Sequence, residues 1–211
     1  MPGNLIALDA DGVLLDYHSA YASAWARAFG ERPVLTNPQA YWPLERWGVA
    51  HLSGARLAAL RTKFDEEFWS TVPALEGAVQ ACHDLVAGGH ELVCVSALRE
   101  EFAQARLANL KAHGFPIEIV IATGSDITQR SPKASAVEKL KPVAFVDDFL
   151  PYHRGVPPTV HKALIRREEN GSPNVGPELS NVDSQHLNLR AFAHWWLAGG
   201  AARSTHLGEK T

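Results

Sequence analysis

The sequence of 211 residues has only two cysteines, Cys82 and Cys94, and no apolar run of the length that spans a bilayer. Two thiols are too few for a disulfide framework or a cysteine-based zinc site, and both lie in apolar segments typical of buried thiols. The net charge is only −3, which provides no broad basic surface for a nucleic acid. The first residues lack the charged start and apolar stretch of a signal peptide. We therefore expect a cytoplasmic protein whose partners include neither a membrane nor a nucleic acid.

The sequence is well supplied with apolar residues, at 46%, and these suit a folded protein with a substantial core. Ten of the eighteen aromatic residues lie between residues 17 and 75. Within that stretch, two apolar stripes have helical spacing: Tyr17, Tyr21, Trp25 and Phe29, then Leu57, Leu60, Phe64 and Phe68. Ser53 is the predicted N-cap of the second stripe. No strand pattern interrupts this segment, so we expect a helical unit with its own aromatic core.

Outside that stretch, short apolar runs alternate with segments of helical periodicity. The predicted strands are residues 5–8, 92–95, 117–122, 143–146 and 163–165, and the predicted helices are 78–85, 100–111, 133–140 and 187–197. This alternation is typical of a parallel sheet with helices on both faces. We expect an α/β, Rossmannoid three-layer core formed by residues 1–16 and 76–200. A small all-helical cap of residues 17–75 would be inserted after the first strand, the sheet would resume near residues 73–76, and residues 201–211 would form a disordered tail.

Polar residues lie at the carboxyl ends of the predicted strands, where open parallel sheets bind their ligands. They are Asp9, Asp11, Ser96, Asp147 and Asp148, with Lys133 at the start of the helix before the last pair. Clustered carboxylates repel one another unless a cation offsets their charge, and Mg²⁺ prefers oxygen ligands. The Ser96 hydroxyl and backbone N–H groups near Gly12 would supply hydrogen-bond donors to an anion. This set of groups favours phosphoryl transfer, in which an aspartate can itself be the nucleophile.

Taken in order, these motifs resemble those of the haloacid dehalogenase-like (HAD) hydrolase superfamily. They are Asp9-Ala10-Asp11-Gly12-Val13-Leu14-Leu15-Asp16, then Ser96, then Lys133, then Asp147-Asp148, and the resemblance spans residues 5–148. It implies that Asp9 is the nucleophile and a Mg²⁺ ligand. It also implies that Asp11 protonates the leaving group, then activates water, while its backbone carbonyl ligates the metal.

The same resemblance implies roles for the remaining motif residues. Ser96 and Lys133 would bind the transferring phosphoryl group, with Lys133 also steadying Asp9. Asp147 and Asp148 would complete the metal site, and which of the two ligates the metal directly is left open. Their compact Asp-Asp pair differs from the spaced acids of the more usual fourth motif.

Asp11 also distinguishes between reactions within the superfamily. The dehalogenating members lack an acid two residues after the nucleophile, since a halide needs no proton, whereas the alkoxide of a phosphate ester does. We therefore predict a Mg²⁺-dependent phosphatase that acts on a small phosphorylated metabolite through an aspartyl-phosphate. Two alternatives stay open: a phosphomutase on the same core, and a catalytically idle protein that binds a phosphorylated ligand or a partner chain. The sequence specifies neither the substrate nor whether the protein is a monomer or a homodimer.

Three polar residues near these motifs have simpler interpretations. Asp16 is predicted to cap the helix that begins near Tyr17. His18 and His51 lie where a cap residue would reach a substrate, but structural or solvent-exposed roles are expected for both.

Overall fold

The computed structural model describes residues 4–126 and 129–200, so the tail predicted at residues 201–211 lies outside the described residues. One sheet of six parallel strands, in the order β3-β2-β1-β4-β5-β6, forms the centre of the molecule. The strands are β1 (Leu5–Leu8), β2 (Glu91–Ser96), β3 (Val120–Ala122), β4 (Ala144–Asp147), β5 (His161–Ile165) and β6 (Ser184–His186). The five predicted strands are confirmed, although β3 is shorter than expected, and β6 was not predicted.

Helices cover both faces of this sheet, as the sequence predicts. They are α1 (Tyr17–Phe29), α2 (Pro43–Arg46), α3 (Gly54–Arg61), α4 (Glu66–Ser70), α5 (Ala78–Ala87), α6 (Ala103–Ala112), α7 (Ala134–Leu140) and α8 (Leu189–Leu197). Side chains of the strands β1 to β4 alternate between two core clusters, so that Ile6 and Leu8 of β1 face one cluster and Ala7 faces the other. Among the described residues, no helix is long and apolar enough to cross a membrane.

Residues 17–75 contain four helices, α1–α4, and contribute no strand to the sheet. The capping role predicted for Asp16 is confirmed, because its Oδ1 accepts a hydrogen bond from Ser19 N at 3.1 Å. The second apolar stripe forms two helices instead of one. The stripe is interrupted before α4, because the side chain of Asp65 caps that helix by accepting a hydrogen bond from Phe68 N at 2.9 Å. Ser53 precedes α3, but its side chain makes no capping hydrogen bond.

The expectation that the sheet resumes near residues 73–76 is wrong. Ala74 forms a single antiparallel bridge with Leu15, outside the main sheet. Asp16 N donates to Pro73 O at 2.7 Å, and Leu75 N donates to Leu14 O at 2.9 Å. The two ends of the helical segment are therefore tied together next to the strand that precedes it.

Candidate active site

Three buried carboxylates meet at the carboxyl edge of the two central strands. Asp9 follows β1, and Asp147 and Asp148 end and follow β4. The neighbouring strands place these residues side by side, and Asp9 N donates to Val146 O at 2.9 Å. Each residue offers one carboxylate oxygen, and these oxygens lie within 4.8 Å of one another. Oxygen ligands at this spacing could hold a divalent cation.

Lys133 lies against this cluster, immediately before α7. Its Nζ is 2.6 Å from Asp9 Oδ1 and 2.6 Å from Asp147 Oδ2, and its side chain is fully buried. Burial opposes the charged ammonium, but the carboxylates of Asp147 and Asp9 outweigh it and raise the pKa of Lys133. Lys133 is therefore charged and links the first and last acidic motifs.

Asp147 and Asp148 differ in what their carboxylates contact. Asp147 is fully buried, and its two oxygens accept from Lys133 Nζ and from Phe149 N at 2.9 Å. Asp148 instead lines the cavity next to the cluster, and its Oδ2 is 3.4 Å from Nη2 of Arg167. Burial raises the pKa of both carboxyl groups, and nearby carboxylates raise it further. A bound cation would offset this charge.

Asn174 supports the loop that carries Asp148. Its fully buried amide donates to Asp148 O at 2.7 Å and accepts from Leu150 N at 2.7 Å. No motif in the sequence pointed to Asn174.

Gly12 lines the same cavity, with a φ of +90°. A Cβ at this position would overlap the carboxylate of Asp148, so only glycine allows the first acidic loop to approach the second. The N–H of Gly12 donates to Leu15 O at 2.9 Å, within its own loop. In this structure, Gly12 therefore provides space for Asp148, and its predicted contact with phosphate stays a prediction.

Asp11 pairs with an arginine that lies outside all of the sequence motifs. Nη2 of Arg106, on α6, donates to both carboxylate oxygens of Asp11 at 2.8 Å. Arg106 is fully buried, and its guanidinium lies 5.0 Å from the ring centroid of Trp69. Burial raises the pKa of Asp11, and the charge of Arg106 partly offsets that effect. The available signal was a charged residue on the apolar face of a predicted helix.

Ser96 is the last residue of β2 and is almost fully buried. Its backbone carbonyl accepts from Thr123 N at 3.0 Å. Among the described residues, the one at this strand end that lines the cavity is Ala97 and not Ser96. The structure places Ser96 at the predicted edge of the sheet, but its contact with a phosphate stays a prediction.

The cavity beside the cluster has a volume of about 350 Å³ and contains Asp9, Asp11 and Asp148 in its wall. Most of the remaining wall is aromatic: Tyr17, Tyr41, Trp42, Trp69, Phe149 and Tyr152. His18 also lines it. Its Nε2 is hydrogen-bonded to Tyr41 O at 2.8 Å, and burial lowers its pKa to about 4. His51, by contrast, is exposed.

The fold and the site together define an α/β protein with an acidic centre at the carboxyl edge of a parallel sheet. The model of the haloacid dehalogenase-like hydrolase family matches residues 4–173. The chain therefore belongs to this family, whose members are hydrolases and generally use a divalent metal. A search of curated proteins finds no significant match.

Three solved structures illustrate the range of proteins that share this fold. A HAD family hydrolase from Deinococcus radiodurans with bound phosphate and sodium is 16% identical with a TM-score of 0.61, over 93% of this chain and 97% of that one. A predicted phosphoglycolate phosphatase from Haemophilus somnus is 14% identical with a TM-score of 0.60, over 92% and 98%. The L-2-haloacid dehalogenase from Xanthobacter autotrophicus, with chloropropionic acid covalently bound, is 14% identical with a TM-score of 0.59, over 92% and 98%. At these identities the likeness establishes the fold alone.

Proposed function

We propose that the protein is a Mg²⁺-dependent phosphatase that hydrolyses a small phosphomonoester through an aspartyl-phosphate. The observation that carries this proposal is the pair Asp9 and Asp11, whose side chains line one cavity beside a buried acidic cluster. An acid at the second position favours ester cleavage over carbon–halogen cleavage, because only the ester's leaving oxygen needs a proton. We further propose that residues 17–75 act as a cap, and that the protein works in the cytoplasm as a monomer or homodimer.

The donor set fits Mg²⁺. Three buried carboxylates face two cations, Lys133 and Arg167, so the cluster keeps an excess of negative charge that a hard divalent cation would offset. Asp9 and Asp148 line the cavity and would be direct ligands, together with the backbone carbonyl of Asp11. Asp147 has both oxygens engaged within the protein, so we assign it to holding Lys133. When bound, Mg²⁺ would stabilise the negative charge of the transferring phosphoryl group.

In the first step, Asp9 attacks phosphorus. Its Oδ1 contacts Lys133 Nζ and accepts a hydrogen bond from Ala10 N at 2.7 Å. The other oxygen, Oδ2, is therefore the one that forms the new bond. The bond from phosphorus to the ester oxygen breaks as the new bond forms. Asp11 gives its proton to that departing oxygen, so the alcohol leaves neutral. Burial raises the pKa of Asp11, which favours the protonated form this step requires.

In the second step, the ionised Asp11 removes a proton from water. That water attacks phosphorus, the bond to Asp9 breaks, and inorganic phosphate is released. Asp9 is restored as a carboxylate and Asp11 as an acid, so the cycle is balanced. The aromatic residues from the helical segment line the cavity and would restrict the entry of other water.

The deciding experiment measures phosphate release from p-nitrophenyl phosphate and from a panel of phosphorylated metabolites with Mg²⁺ present. We expect turnover by the wild type and background rates for Asp9→Asn. Asp84→Asn, an exposed acid on α5, is the matched control and should retain activity. Unimpaired turnover by Asp9→Asn rejects the mechanism.

The other outcomes of the panel identify the alternatives. Transfer of phosphate to a second hydroxyl of a sugar indicates a phosphomutase. Halide release from a 2-haloacid assayed alongside the panel, without ester hydrolysis, indicates a dehalogenase, and binding without turnover indicates an idle protein.

A further inference from the structure

We propose that the cavity selects phosphate esters whose organic part is a flat aromatic ring system with no second negative charge. This inference rests on the proposed phosphatase function and names a substrate class for the same cavity. It depends on three observations: a continuous aromatic surface, a lining cation that is shared between two carboxylates, and the size of the cavity.

The aromatic surface combines two short stretches of chain. Tyr41 and Trp42 come from the helical segment, and Phe149 and Tyr152 come from the loop after β4. The rings of Tyr41 and Phe149 are nearly parallel, at 23° with centroids 6.4 Å apart, and those of Trp42 and Phe149 are 6.3 Å apart. Tyr152 extends the surface, 4.9 Å from Phe149. The four rings form one connected wall.

This wall begins next to the reacting groups. Phe149 directly follows Asp148, and Lys133 Nζ lies 4.4 Å from the ring centroid of Tyr152 while it contacts Asp9. Trp42 lies at the accessible end of the wall and keeps 43% of its surface exposed, which is unusual for a large aromatic side chain. A ring joined to a phosphate at Asp9 would therefore reach an aromatic surface that still has area to bury.

The charges around the cavity argue against a second anionic group on the substrate. Among the described residues that line it, Arg167 is the only cation, and it already faces Asp148 at 3.4 Å and Glu168 at 3.3 Å. His18 is neutral near pH 7 because burial lowers its pKa to about 4. Arg106 is fully buried and bound to Asp11. A second carboxylate or phosphate would have to compete with these two carboxylates for the one lining cation.

The volume limits the size of the organic group. At about 350 Å³ the cavity lies at the small end of the roughly 300–1,000 Å³ typical of ligand sites. A phosphate together with an aromatic ring system fits within such a space. The aromatic wall, the shared cation and the volume together favour a flat aromatic group without a second anionic group.

The first test measures binding without chemistry, by isothermal titration of the Mg²⁺-loaded protein with non-hydrolysable phosphonates. Benzylphosphonate and cyclohexylmethylphosphonate have nearly the same size and charge and differ in aromaticity, while phosphonoacetate adds a carboxylate. Ring stacking adds about 0.5–1.5 kcal/mol, so we expect benzylphosphonate to bind about 2- to 10-fold more tightly than its saturated counterpart. Phosphonoacetate should bind most weakly. Equal binding of the two ring compounds, or tightest binding of phosphonoacetate, overturns the inference.

Variants locate the preference on the aromatic wall. Trp42→Leu and Phe149→Leu should each lower the ratio of the two affinities toward one, and circular dichroism would verify that each variant folds. Leu35→Ala is the control, because Leu35 is an exposed apolar residue of the same helical segment that does not line the cavity. It should keep the wild-type ratio. A ratio that is unchanged in both wall variants contradicts the assignment.

Turnover of the matching esters separates this inference from the proposed function. We expect a higher kcat/KM for benzyl phosphate than for cyclohexylmethyl phosphate, two primary alkyl esters that differ mainly in the aromaticity of the ring. Hydrolysis of both esters and of ethyl phosphate at similar kcat/KM rejects the inference and leaves the phosphatase assignment intact. If no ester is hydrolysed, the phosphatase assignment fails, and the substrate class that rests on it fails too.

Discussion

Arg106 holds Asp11 through a single nitrogen, Nη2, which lies 2.8 Å from both carboxylate oxygens. The other guanidinium nitrogens, Nε and Nη1, are buried and have no hydrogen-bond partner among the described residues. A buried arginine with two unused donors is costly, and the cost is offset mainly by this one carboxylate. The pair therefore fixes the orientation of the proposed acid from the buried face of α6.

Arg106→Met should impair catalysis more on poor leaving groups than on good ones. Without Arg106, Asp11 loses its fixed orientation, and proton donation matters most for an alkoxide. We expect kcat on ethyl phosphate to fall at least tenfold and kcat on p-nitrophenyl phosphate to fall much less. Arg106→Lys, which keeps the charge, should recover part of the alkyl activity. Equal losses on both esters would show that Arg106 has a purely structural role.

The same substitution bears on stability. Breaking a fully buried ion pair typically costs about 3–5 kcal/mol. Asp11 keeps a quarter of its side chain exposed, and two unsatisfied donors leave with the guanidinium, so we expect a smaller loss. Urea unfolding of the two Arg106 variants would measure it.

Gly12→Ala should weaken the proposed metal site without greatly changing the backbone elsewhere. The new Cβ would overlap the carboxylate of Asp148 and push it out of the cluster. Mutating a group that only supports a metal ligand typically costs about 10- to 100-fold in metal affinity, and displacing a ligand such as Asp148 should cost at least as much. Gly30→Ala is a close control, because Gly30 has a φ of +86° against +90° at Gly12 but no atom within 4 Å of the added methyl group. Titration with Mg²⁺ should therefore separate the two variants, and equal Mg²⁺ affinities would contradict this account.

The acidic cluster was predictable because the topology alone brings its members together. The apolar runs of β1 and β4 end at Asp9 and Asp147, and parallel neighbours end at the same edge of a sheet. The partners of these acids were not predictable in the same way. Arg106 lies 95 residues from Asp11 in the sequence, and no local pattern specifies which distant carboxylate a helical arginine meets.

Two errors in the fold have similar local causes. Apolar periodicity continues from Leu57 to Phe68 and therefore predicts one helix. Because Asp65 caps a new helix within this stretch, the structure has two. Strand β6, Ser184–His186, is a short polar edge strand that pairs only with β5. It has neither the apolar run nor the alternation from which strands are predicted. Its formation depends on the neighbouring strand.

Mg²⁺ should stabilise the folded protein, because the carboxylates come together only in the native state. A ligand present at 100 times its Kd adds about 2.7 kcal/mol to the free energy of unfolding. We expect the Tm of the wild type to rise with Mg²⁺ and to fall again on chelation. Asp148→Asn should lose most of this response, while Asp84→Asn should keep it. A Tm that is independent of Mg²⁺ in the wild type would argue against the cluster as a metal site.

His153 should make the protein less stable in mild acid. Its ring is almost fully buried 5.3 Å from that of Phe145, and neither nitrogen has a hydrogen-bond partner among the described residues. Burial lowers its pKa to about 3 from an ordinary value of 6.5. As the pH falls below 6.5, the unfolded chain gains a proton on this residue and the folded protein does not, so folding stability falls.

His153→Phe removes that contribution and keeps an aromatic ring of similar shape. The difference in the free energy of unfolding, variant minus wild type, should increase by about 1.4 kcal/mol for each unit by which the pH falls between 6 and 4. Comparing the two proteins at each pH cancels the contributions of the carboxylates that they share. His51→Phe, at an exposed position, should run parallel to the wild type. Urea unfolding across this pH range would measure the difference, and parallel curves for His153→Phe and the wild type would mean that His153 is protonated in the folded protein as readily as in the unfolded chain.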